Sequence, residues 1–125
     1  MQNLFIGASF MAPFEAEAAV RDGYDSQLLW GSDYPHMEGT YQFPLSEDEE
    51  PMGRRALRYT FANIAPEPAR RMLADNAIAV YGLDADALAA VAAKIGPTLD
   101  ELTTPLETIP ADGGKLSFRQ MGPWH

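Results

Sequence analysis

The sequence predicts an α/β chain, and three observations predict it. A short run rich in strand formers, Asn3-Leu4-Phe5-Ile6-Gly7-Ala8-Ser9-Phe10, opens the chain. A helix-like stretch follows from Met11 to Gly23, with Pro13 near its start, Glu15 and Glu17 toward the positive end of the helix dipole, an alanine-rich middle and a glycine stop. A second apolar run, Leu28-Leu29-Trp30, then suits a strand buried on both faces, as in a parallel sheet. Two strands joined by a helix make one βαβ unit.

The second strand ends in the stretch that carries chemistry. Gly31 and Ser32 shrink the side chains, Asp33 places a carboxylate where the buried run stops, and Pro35 removes a ladder donor and restricts Tyr34. An acid at the C-terminal end of a buried parallel strand is where barrel enzymes place catalytic and metal-binding groups. The alternative is an aspartate that satisfies loop amides or caps a turn.

Beyond His36 the segment from Met37 to Met52 reads as loop, with Gly39, two prolines and the acidic run Glu47-Asp48-Glu49-Glu50. That run fits a solvated loop or a partner for Arg54, Arg55 and Arg58 better than a cation site, because its acids lack an ordered ligand spacing. A helix is predicted from about Met52 to Asn63, with Leu57, Phe61 and Ile64 on one face. Pro66-Glu67-Pro68 opens the next helix; Leu73, Ala77, Val80 and Tyr81 recur at helical spacing, and Gly82 ends it. Asn76 within it reads as a structural hydrogen-bonding residue. Asp84 caps a helix over Ala85 to Ile95, with Leu88, Val91, Ala92 and Ile95 to one side and Gly96-Pro97 beyond. Thr98 to Leu102 gives one more turn, and the rest is a proline- and glycine-bearing tail whose Phe118 and Trp124 predict contact with its own domain or a partner subunit.

Trp30-Gly31-Ser32-Asp33-Tyr34-Pro35-His36, followed by Glu38-Gly39-Thr40, closely resembles the last-strand signature of the metal-dependent amidohydrolase superfamily. The likeness is to the amidohydrolase-related branch that includes aminocarboxymuconate semialdehyde decarboxylase-like enzymes. The stretch from Leu73 to Ala77 and on to Tyr81-Gly82-Leu83 resembles that family's closing helix.

This resemblance implies the C-terminal fragment of a (β/α)8 TIM barrel, its last two strands followed by a helical region and an extended tail. The implied division is residues 1–83 for the barrel part and 84–125 for the C-terminal helix and tail. It also implies that Asp33 is a metal ligand beside a metal-bound water, with zinc the expected divalent metal. His36 is either a catalytic neighbour or a residue that orders the loop, Glu38 and Thr40 shape the pocket rim, and Tyr34 packs or offers its phenol to substrate.

The family's other ligands are a His-x-His pair and further histidines, whereas this sequence holds two histidines, His36 and His125, and no cysteine. Such a barrel takes ~250 residues; this chain has 125. The implied function is thus part of a metal-dependent hydrolase or decarboxylase of small organic acids or amides, inactive as an isolated chain. Its histidines would come from a longer enzyme or a complementing chain, and homo-oligomerisation is compatible with it. The competing reading is a non-catalytic small helical domain that binds protein partners.

Composition narrows the remaining classes. Nine basic against 18 acidic residues give a net charge of −9, which repels phosphate backbones and anionic membranes. The absence of cysteine excludes a disulfide scaffold and a thiolate metal site. With no transmembrane or signal-peptide pattern, the cytoplasm is the default expectation.

Overall fold

Strand β1 (Ile6–Ala8) pairs in parallel with β2 (Leu28–Trp30), Ile6 opposite Leu28 and Ala8 opposite Trp30. Between them lies α1 (Pro13–Asp22). This computed structural model describes residues 4–36, 39–41, 44 and 46–109. Pro13 occupies the first turn of α1, and the Glu15 carboxylate accepts the Ala12 N–H at 2.9 Å. Gly23 ends the helix at φ 78°, in the left-handed region that glycine enters without steric cost.

The rest is helical: α2 (Met52–Phe61), α3 (Pro66–Arg70), a π-helical turn (Arg71–Asp75), α4 (Asn76–Tyr81), α5 (Ala85–Ile95) and α6 (Leu99–Thr103). The predicted helix from Pro66 to Gly82 is therefore present, with one wide turn inside it. That turn and the Ala69–Met72–Asn76 spacing direct a different face inward from the expected one. Ala69, Met72 and Asn76 are buried, whereas Val80 and Tyr81 are exposed. A single core joins Met11, Ala16 and Ala19 from the α1 region, Leu28 from β2, Leu57, Phe61 and Ile64 from α2 and its exit, Ala69 and Met72, and Leu102 from α6. Leu57, Phe61 and Ile64 thus share the predicted inward face.

The expected TIM-barrel fragment is corrected here. The described residues form a small, mainly helical domain with two parallel strands of three residues each. A barrel wall requires each strand to be hydrogen-bonded on both edges and tilted into a closed sheet. Here β1 and β2 pair only with each other among the described residues, and helices rather than further strands bury Leu28 and Leu29.

Two polar devices fasten the helices to the strand. The Asn76 amide, itself buried, donates to the Asp25 carbonyl at 2.8 Å and the Leu28 carbonyl at 2.7 Å. Asn76→Ala leaves both oxygens without that donor and is expected to cost about 2–3 kcal/mol, read as a lower urea midpoint. Arg71 donates to Asp25 at 2.7 Å and to Glu67 at 2.8 Å, bracing the π turn against the residues preceding β2.

At α6, Thr98 and Glu101 form a reciprocal cap: the Thr98 N–H donates to Glu101 at 2.6 Å and the Glu101 N–H donates to Thr98 Oγ1 at 3.2 Å. Hydrogen bonds from the Thr98 backbone and then its hydroxyl hold the Glu101 carboxyl below its ordinary value of 4.5. A depressed carboxyl stabilises the fold fully above its ordinary value, and that contribution is lost as pH falls through the lower folded value. Glu101→Gln is therefore expected to flatten the acid limb of a Tm-against-pH profile and leave a second acid component from Asp22. The Arg21 hydrogen bond holds Asp22 low.

The acidic run meets its arginines as expected. Glu50 bonds Arg58 at 2.8 Å, and Glu49 lies 3.9 Å from Arg55. Arg58 also donates to the carbonyls of Thr104 and Pro105, holding the chain beyond α6 against α2. No helix among the described residues is long and apolar enough to cross a membrane. The predicted tail contacts of Phe118 and Trp124 lie outside the described residues.

Candidate functional site at the end of β2

The site is built by a reversal of the chain directly after a buried strand. Leu28 and Leu29 are buried and Trp30 half-buried, and the Gly31 N–H still reaches the Ala8 carbonyl at 3.3 Å. The backbone then turns at Asp33, whose φ of 61° lies in the left-handed region. For a residue with a Cβ that conformation costs on the order of 1 kcal/mol, and it persists where the surroundings hold it.

Hydrogen bonds supply that support. The His36 N–H donates to the Asp33 carbonyl at 2.8 Å, and the Tyr34 N–H reaches Ser32 Oγ at 3.4 Å. Farther along, Gly39 N–H donates to the His36 carbonyl at 2.9 Å, and Thr40 N–H returns to the Ser32 carbonyl at 2.9 Å. Gly39 is required by close approach: a Cβ there would lie 2.6 Å from the Tyr41 ring and 2.7 Å from the Ser32 carbonyl. The Tyr34–Pro35 peptide is cis, the Tyr41 hydroxyl donates to the Pro35 carbonyl at 2.9 Å, and the Tyr34 and Tyr41 rings meet edge-on at 4.9 Å.

Within this loop Asp33 Oδ1 and His36 Nδ1 are 3.0 Å apart, with side chains 23% and 68% exposed. With Asp33 ionised, the Nδ1–H tautomer satisfies the contact and leaves Nε2 as the ring's acceptor. The two predicted site residues are thus brought together as an acid–imidazole pair that can accept and release a proton. Tyr34 stands exposed beside them, against Tyr41 rather than in the core. Thr40, expected at a pocket rim, is instead buried, and its hydroxyl has no partner among the described residues. Glu38 lies outside them.

A divalent metal is what the sequence resemblance implies at Asp33. A closed zinc site takes four ligands and a catalytic one at least three from protein. Asp33 and His36 supply two, already bonded to each other, and no group of three or more His, Cys, Asp or Glu residues that could hold a metal occurs among the described residues. The described residues do not by themselves fit the metal.

Sequence reasoning missed the contacts that fix β2 and the loop after it. Asp25 and Arg71 are 46 positions apart, and nothing in either local pattern announces their bond. The Tyr41–Pro35 hydrogen bond was equally hidden, although an aromatic close to Gly39 was a visible cue.

Comparison with protein-family models, curated proteins and solved structures finds no match to this chain.

Proposed function

We propose that this chain is the acid-bearing part of an amidohydrolase-like hydrolase or carboxy-lyase acting on small organic acids or amides. Asp33 and His36 are its contribution to the active centre, and the remaining metal ligands and substrate contacts come from polypeptide outside these 125 residues. One observation carries the reading: a carboxylate turned by a left-handed backbone at the end of a buried strand, 3.0 Å from the ring of an exposed histidine. A turn-capping aspartate would spend its carboxylate on loop amides, whereas the Asp33 carboxylate meets a titratable ring. In that role Asp33 fixes the ring tautomer and balances the charge when His36 takes a proton.

The test is the composition of the native species recovered with an antibody to this chain. Intact mass and bound metal are measured on it directly. We expect a longer polypeptide, or a stable complex, that carries a His-x-His segment and zinc, with the zinc lost in an Asp33→Asn strain. Recovery of this chain alone and free of zinc would overturn the proposal.

A further inference from the structure

Helix α5 is apolar and yet uncovered among the described residues. Of Ala85–Ile95 only Asp86 and Lys94 are charged, none is buried, and the helix packs extensively on no other described element. Its largest apolar side chains, Leu88, Val91 and Ile95, are 44%, 53% and 76% exposed. A helix so uniformly apolar ordinarily lies inside a protein. These three side chains line one wall of a groove of about 690 Å³, and Leu73 and Ile78, from the π turn and α4, line the other. By helical spacing Ala87, Ala90 and Lys94 fall on the far side of α5.

Three observations choose a second copy of this chain as the occupant. The first is self-complementarity. The groove takes an apolar helix, and α5 is an apolar helix in need of cover, so one two-fold rotation seats each copy's α5 in the other's groove and meets both demands. With the helices antiparallel and Val91 near the axis, Leu88 comes opposite the second copy's Ile95. The second is charge. Each copy carries −9, but around the groove Arg70 and Lys94 balance Asp75 and Asp86. Arg70 is bonded to Asp75 at 3.1 Å, and antiparallel pairing brings the second copy's Lys94 to the Asp86 end of α5. The third is area. A helix of 11 residues is about 16 Å long and 10–12 Å across. Covering about half of each α5, together with the two α4 walls, buries on the order of 1,000 Å² in total, which a specific interface requires.

We propose that this chain forms a two-fold dimer in which the α5 helices pair antiparallel, each lying in the groove between α4 and α5 of the other copy. The inference stands apart from the enzymatic reading and survives its failure. Leu88, Val91 and Ile95 form the apolar centre of the interface, and the alanine side of α5 remains in solvent.

Sedimentation equilibrium of the 125-residue chain tests it, and a dimer is expected in the micromolar range. Its thermal midpoint is expected to rise with chain concentration, because association stabilises the folded state by mass action. Val91→Asp and Ile95→Asp, at positions more than half exposed in one copy, are each expected to raise the dissociation constant at least about a hundredfold, since the two-fold buries every introduced charge twice. Ala90→Asp, on the far side of the helix, leaves the dimer intact. Circular dichroism checks that each variant folds, and either groove variant suffices if the other does not. A monomer across the micromolar range overturns the proposal and gives the groove to a different occupant. So does a dimer insensitive to the groove variants, or one that Ala90→Asp dissociates equally, either of which places the contact elsewhere.

Discussion

Under the proposed function, Asp33→Asn is expected to lower turnover about a thousandfold, the midrange of what a positioned proton-transfer group contributes. Asparagine keeps the shape and the tolerance for a left-handed φ, so the turn at 61° survives. Its amide cannot balance a protonated His36, and it presents a neutral oxygen or a donor to Nδ1 in place of a carboxylate. The substitution also separates chemistry from folding. The Asp33 side chain is 23% exposed and bonds one neighbour that is itself 68% exposed, so the thermal midpoint should stay close to the parent's. A measured pair of kcat and Tm checks both halves. Unchanged turnover would remove Asp33 from the chemistry, and a large fall in Tm would make it a structural residue.

Phe61→Ala is expected to cost about 4 kcal/mol in an equilibrium urea titration, with the conservative Phe61→Leu near 1 kcal/mol. Among the described residues Phe61 and Met72 are the largest fully buried side chains, and Phe61 stands where α1, α2, α3 and α6 share one core. Part of the surrounding core is the small, fully buried Ala16, Ala19 and Ala69, which offer little side chain to refill the space. Against a total stability of ~5–15 kcal/mol for a domain of ordinary size, such a loss is enough to populate the unfolded state. The same core predicts cooperative unfolding by circular dichroism and tryptophan emission together. A cost below about 1 kcal/mol for Phe61→Ala would mean that the helices do not meet as described.

Local patterns determined much of this protein. Pro13, Gly23, Pro66, Gly82, Asp84 and Thr98 each act on the few residues beside them, and the helices begin and end where those residues direct. The periodicity of Leu57, Phe61 and Ile64 named a true core face because α2 is a regular helix with one side in water. Asp33 and His36 were each legible as candidates in the sequence, but their contact was not; the turn after β2 brings them together.

Tertiary structure decided the rest. Leu88, Val91 and Ile95 form the side that periodicity predicts, but their burial depends on what lies opposite, and the described helices leave them exposed. In α4 the inward face passed to Asn76, because its amide reaches the carbonyls of Asp25 and Leu28 and the π turn shifts the phase that counting assumes. A strand's residues announce a strand and not the number of its neighbours. Sheet size is fixed by hydrogen bonds between distant segments, so two apolar runs suited a barrel wall and a two-stranded sheet equally well. Helices cover β2 here, and that choice was made by packing across the whole chain.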